Sequence, residues 1–154
     1  MLSKKTMLAL CAILLSGAAA NAQTLLTVTT GETVRTYDMA GLTAFPQTTY
    51  STANPFVDGE REFSGPLLRD ILADSQIQSG SVILSAVNDY ELTFPVADAR
   101  NYDVIVATSL DGDPMTVRDK GPLWLMYPIS SHPELDDPIY RGRIIWQMNE
   151  INQR

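Results

Sequence analysis

The chain has 154 residues, 45% of them hydrophobic, with 11 basic against 18 acidic side chains and a formal charge of −7; this is enough for one domain with a real core and too little for two ordinary ones. The acidic balance argues against a nucleic-acid partner, whose phosphates demand a basic face. It does not exclude a small anion, because two arginines placed locally suffice to hold one carboxylate or phosphate.

Lys4 and Lys5, the apolar run from Met7 to Leu15 and the small residues ending in Ala20-Asn21-Ala22 read as a secretory signal with an A-x-A cleavage site after Ala22. The run is about half the length of ~20 apolar residues that a bilayer span needs. Cys11 lies in the middle of it, behind Leu10 rather than behind the small residue of a lipid-anchored leader. Export to the periplasm or beyond is therefore expected, with residues 1–22 as signal peptide and 23–154 as a single domain. Cleavage would remove both leader lysines and the single cysteine, taking the charge from −7 to −9 and leaving no disulfide to form.

Beyond the leader the pattern is mostly strand. Leu25 to Thr29 reads as an opening strand, Asp38 as the cap of a short helix that stops near Phe45-Pro46, and Thr48 to Thr52 as another strand. Gly65-Pro66 predicts the clearest helix, with proline at its first position, Leu67, Leu68, Ile71 and Leu72 on one face, and an end near Ser75. Val82 to Val87 and Tyr90 to Phe94 flank Asn88-Asp89, a pair suited to a hairpin turn. Pro95 opens a helical turn to Arg100, Val104 to Leu110 predicts a buried strand running into the turn Asp111-Gly112, and Leu123 to Tyr127 and Ile144 to Met148 predict the last two strands. Between those two lies a segment of about 15 residues holding His132-Pro133 and Asp136-Asp137-Pro138, a length usually explained by function or disorder. It is expected to border a site. No repeat, linker or low-complexity tract interrupts the chain.

The pieces Phe63-Ser64-Gly65-Pro66-Leu67-Leu68-Arg69-Asp70-Ile71-Leu72, Asn88-Asp89-Tyr90, Phe94-Pro95-Val96, Val104-Ile105-Val106-Ala107, Asp111-Gly112-Asp113-Pro114-Met115 and Gly121-Pro122-Leu123-Trp124-Leu125-Met126-Tyr127-Pro128 come in the order and near the spacing of the sulfite oxidase family. Over about residues 60 to 150 the chain resembles that family's molybdopterin-binding domain. The resemblance implies an α+β fold with mixed β-sheet and few short helices, and a pterin pocket formed by loops at strand ends. Enzymes of that family hold molybdenum through a cysteine thiolate, whereas Cys11 is the single cysteine here and falls in the leader. The chain is similar to small exported members that lack the thiolate and act as pterin-binding partners of membrane-bound signalling enzymes, including those that make or degrade cyclic di-GMP.

A pterin pocket needs an aromatic face, a carboxylate or carbonyl for the guanidine-like edge, and donors for the ring oxygen. Trp124 and Tyr127 supply aromatic faces; they point to opposite sides of their strand, so only one of them faces a ligand there, and either can equally fill the core. Asp89 and Tyr90 are candidates for edge recognition and stacking, against the plain alternative of a solvated turn. Tyr140-Arg141-Gly142-Arg143 lies where the family places basic residues, so Arg141 and Arg143 are candidate carboxylate or phosphate ligands, unless they balance Asp136 and Asp137. His132, the single histidine, cannot form a histidine-cluster metal site but can donate to a ligand from the long loop. Asp111, Asp113, Asp136 and Asp137 match no calcium or acid-pair spacing and read as turn residues, and Trp146 reads as core.

Three functions compete. The first is a non-enzymatic periplasmic module that binds a pterin, requires no cofactor, and signals to an inner-membrane receptor through its periplasmic domain, for example a cyclic di-GMP enzyme. The second is a molybdopterin-dependent oxidoreductase without a thiolate ligand. The third is an interaction protein whose partner binding ignores small molecules.

Overall fold

The computed structural model describes residues 22–153; the leader and Cys11 lie outside them. The chain opens with the hairpin β1 (Leu26–Thr30) and β2 (Thr33–Tyr37), turned at Gly31 with φ 56°. Asp38 then caps α1 (Met39–Thr43), its Oδ1 accepting from the Gly41 N–H at 2.7 Å. A second hairpin pairs β3 (Gln47–Ala53) with β4 (Glu60–Pro66) and leads into α2 (Leu68–Asp74), whose Leu68, Ile71 and Leu72 are buried. The hairpin β5 (Ser81–Ala86) and β6 (Glu91–Pro95) turns at Asn88-Asp89, with Asp89 at φ 62°, and Pro95 starts α3 (Val96–Asn101). Three short strands follow, β7 (Ile105–Ala107), β8 (Ser109–Leu110) and β9 (Asp113–Pro114), then a 3-10 turn at Val117–Asp119 and β10 (Trp124–Met126). Two more 3-10 turns, Ile129–Ser131 and Pro133–Leu135, and α4 (Pro138–Arg141) lead to β11 (Met148–Gln153).

The strands form a five-stranded sheet of order β2-β1-β11-β5-β6, a four-stranded sheet of order β3-β4-β8-β9, and the pair β10-β7. The five-stranded sheet is mixed, because β11 runs parallel to β1 and antiparallel to β5. Gly65 lets β4 cross against β7: a Cβ there would lie 2.0 Å from the Val106 carbonyl oxygen. One core joins all three sheets, with Leu26, Phe63, Ile71, Leu84, Phe94, Ile105, Trp124 and Tyr127 fully buried at its centre. Among the described residues no helix is long and apolar enough to cross a membrane.

Three expected boundaries move, each for a reason in the pairing. Pro66 ends β4 opposite Gln47 instead of opening the helix, so Leu67 becomes the cap residue of α2. The run Val104 to Leu110 breaks at Thr108, whose N–H donates to Ser64 O at 2.8 Å, sending β7 to β10 and β8 to β4. The last strand starts at Met148 and not Ile144. Gln147 adopts φ 52°, which ends the preceding run, and Ile144 to Trp146 lie beside β10 through Leu125 N–H to Ile145 O at 2.8 Å and the bridge Trp124 to Trp146. The long loop is largely ordered as two 3-10 turns and α4, the latter capped by Asp137, whose Oδ1 accepts from Ile139 N–H at 2.8 Å.

Candidate functional site

The β5–β6 turn, the loop after β3 and the stretch from α4 to β11 enclose a cavity of about 260 Å³. Its walls include Phe56, Tyr90, Ile144, Ile145 and Trp146, with Asn88 and Arg141 as polar members. Phe56 meets Trp146 edge to face at 4.5 Å between centroids, while Tyr90 is 51% exposed at the turn. Each wall is positioned locally. Asn54 Oδ1 accepts from Phe56 N–H at 2.8 Å, shaping the Asn54-Pro55-Phe56 corner, and Asn88 Oδ1 accepts from Tyr90 N–H at 3.3 Å across the hairpin turn. A second cavity of about 520 Å³ lies on the other side of that corner, lined by Asn54, Ser130, Asp136 and again Arg141. Arg141 therefore stands between the two, donating through Nε to Asp136 Oδ1 at 2.8 Å and through Nη2 to the same oxygen.

Of the residues expected at a ligand, Tyr90 and Arg141 line the first cavity. Asp89 occupies the turn itself and is exposed, its left-handed backbone allowing its N–H to reach Ala86 O at 3.0 Å. Trp124 and Tyr127 are both buried in the core, at 1% and 0% exposure. The Tyr127 hydroxyl donates to Asp98 Oδ2 at 2.7 Å, and Arg143 Nη1 donates to that oxygen at 2.5 Å. Burial, followed by the hydrogen bond to Asp98, pushes the Tyr127 hydroxyl far above the ordinary tyrosine pKa. Tyr140 packs edge to face on Tyr127 at 5.8 Å and on Tyr102 at 6.0 Å, with the Arg143 guanidinium 5.4 Å from its ring centre. His132 continues the chain of rings, edge to face on Tyr102 at 5.3 Å, its Nδ1 3.3 Å from Glu134 Oε1. The expected set thus divides: Tyr90 and Arg141 at the cavity, Tyr127, His132, Tyr140 and Arg143 in a cluster joining α3 to α4, Asp89 in the exposed turn and Trp124 in the core.

Sequence reasoning passed over Phe56 and Lys120 and placed Trp146 in the core. Trp146, expected in the core, is half-buried and lines the cavity, because the strand that was to bury it starts two residues later. Phe56 had a readable signal, an aromatic residue inside the turn-rich Asn54-Pro55-Phe56-Val57-Asp58-Gly59. Lys120 had none: its Nζ donates to Phe56 O at 2.9 Å and lies 5.5, 5.5 and 5.4 Å from the ring centres of Phe56, Trp124 and Trp146.

No protein-family model matches the sequence, and no curated protein matches it. Among solved structures, the sulfane dehydrogenase SoxCD from Paracoccus pantotrophus is similar, with TM-score 0.62 and 15% identity over 82% of this chain. The fold is sulfite oxidase-like. The chain spans 37% of the length of that neighbour, and at this identity the likeness carries the architecture alone. The α+β arrangement with mixed sheet and short helices stands as expected.

The molybdenum that such a fold implies does not fit the residues present. No described residue is a cysteine, and among the described residues no three His, Cys, Asp or Glu side chains gather where they could hold a metal ion. The first cavity, by contrast, offers aromatic and aliphatic walls with an amide and a guanidinium.

Proposed function

We propose that this chain is an exported ligand-binding regulatory module that takes a flat heteroaromatic molecule of the pterin class and, when loaded, docks on the periplasmic part of a membrane-bound signalling protein such as a cyclic di-GMP enzyme. The observation that carries the reading is the cavity walled by Phe56, Tyr90 and Trp146 with Arg141 beside them. Rings of this kind gain from apolar burial and from edge or offset contacts with aromatic walls, and a guanidinium supplies paired donors to a ring oxygen or carboxylate. The ligand can act as a signal because the cavity is built by three loops: a ligand that touches all of them favours the arrangement in which they close together, and the partner reads that arrangement.

A second reading, an oxidoreductase that uses molybdopterin, draws on the fold likeness to a sulfane dehydrogenase. The absence of a cysteine among residues 22–153 counts against it.

Native mass spectrometry of the chain purified from periplasm separates the readings. A pterin-sized adduct free of metal supports the binding module. An adduct containing molybdenum overturns it in favour of the oxidoreductase, and a bare chain that binds its partner unaided favours an interaction protein.

A further inference from the structure

We infer that Lys120 is a specificity-determining residue of this cavity: with Arg141 it makes the cavity select flat heteroaromatic rings that carry negative charge over neutral ones. The inference rests on the cavity being the ligand site and adds the charge of what enters.

Lys120 does not line the cavity, but it touches two residues that do. Its ammonium sits among the rings of Phe56, Trp124 and Trp146 and donates to Phe56 O, so one cation binds the loop after β3 to the segment before β11. The backbone holds it there at a cost. Lys120 has φ 64° and Gln147 has φ 52°, both in the left-handed region that side chains disfavour. Gln147 N–H donates to Lys120 O at 3.1 Å, and Gln147 Nε2 donates to Val117 O at 3.2 Å.

The charge of Lys120 has no carboxylate partner among the described residues. An aromatic face is electron-rich and repels an anion stacked on it, whereas a cation held against the same ring offsets that repulsion. Phe56 and Trp146 are therefore walls suited to an anionic ring. The lining residues include Arg141 and no acidic side chain, in a protein whose net charge is −7. Asp136 does pair with Arg141, but it faces the second cavity, and both side chains are about half exposed, at 44% and 55%, so water screens the pair and a ligand carboxylate can share the guanidinium.

The test uses two matched pairs of probes, pterin-6-carboxylate against 6-hydroxymethylpterin and quinoline-2-carboxylate against quinoline. Affinities come from titration calorimetry, and the fluorescence of the two tryptophans reports on the cage directly. In the wild-type chain each carboxylate is expected to bind about tenfold tighter than its neutral partner. Lys120→Met is expected to lower that ratio to about threefold and shift the tryptophan emission, while Lys120→Arg keeps the ratio. Equal affinity within both pairs overturns the inference, and leaves the pterin reading intact if both pterins outbind both quinolines. Quinoline-2-carboxylate binding as tightly as pterin-6-carboxylate, with both neutral partners weaker, upholds the charge selectivity and overturns the pterin reading. A ratio unchanged in Lys120→Met overturns the role of Lys120, and no binding by any probe overturns inference and reading together. Should Lys120→Met lose its fold by circular dichroism, the wild-type ratios together with Lys120→Gln decide.

Discussion

Tyr127 and Arg143 donate to the same atom, Asp98 Oδ2, at 2.7 and 2.5 Å, one from the end of β10 and the other from the segment after α4. Asp98 is 8% exposed, so its carboxylate depends on these two donors in place of water. Tyr127→Phe removes one hydrogen bond and is expected to cost about 1–2 kcal/mol. Arg143→Met leaves the carboxylate without its counter-charge and is expected to cost about 3 kcal/mol. Urea unfolding of both variants checks the order, and equal losses would contradict it.

Above neutrality, Tyr127 and Tyr50 are the groups to watch, since burial raises the pKa of both hydroxyls above the tyrosine value of 10.0. A folded pKa raised above the unfolded one gives stability that is present below about pH 10 and lost as pH rises beyond it. Absorbance of tyrosinate should therefore show Tyr50 and Tyr127 ionising only as the chain unfolds.

On the acid side, hydrogen bonding to Arg61 and to the Glu62 N–H holds the Asp111 carboxyl below its ordinary value, and the Thr116 hydroxyl and N–H do the same for Asp119. Depressed carboxyl pKa values give stability present above the unfolded value of about 4 and lost as pH falls through the folded one. Urea midpoints should drop below about pH 4, and Asp111→Asn should flatten that drop while lowering the midpoint at pH 7.

Gly65→Ala places a Cβ 2.0 Å from Val106 O and 2.9 Å from Ala107 Cα, both backbone atoms with no rotamer to yield. Separating β4 from β7 opens the core, so a loss of at least about 3 kcal/mol is expected. Thermal unfolding reads it, and a near-wild-type midpoint would show that the two strands part easily.

At the cavity, Arg141→Met should weaken binding of pterin-6-carboxylate about tenfold or more, and Tyr90→Ala by less, because the guanidinium is the one cationic group on the lining. Calorimetric titration checks the ranking. A chelator is expected to leave both the unfolding temperature and the titration unchanged.

Much of the order of elements, though not β2 or β4, was legible in the sequence because it is written in short-range chemistry. Asp38 caps α1 through its own side chain, Asn88-Asp89 turns β5 into β6, Pro95 opens α3 and Asp111-Gly112 turns β8 into β9, each decided within a few residues. The similarity of the ordered pieces to sulfite oxidase domains carried the architecture in the same way, and Tyr90 and Arg141 were within reach as polar or aromatic residues beside turns.

What only the tertiary structure decided depends on partners far apart in the chain. Pro66 stays in a strand because Gln47 lies opposite it, and Thr108 breaks a continuous apolar run because Ser64 accepts its N–H. Tyr127 and Arg143, expected at a ligand, both donate to Asp98, 29 and 45 residues away, a pairing that no local pattern marks. The cation of Lys120 meets Phe56, 64 residues earlier, and no local pattern marks that meeting. Periodicity and capping act over one or two turns of chain, whereas a cavity is the space left between segments, and its walls are named only when the segments have packed.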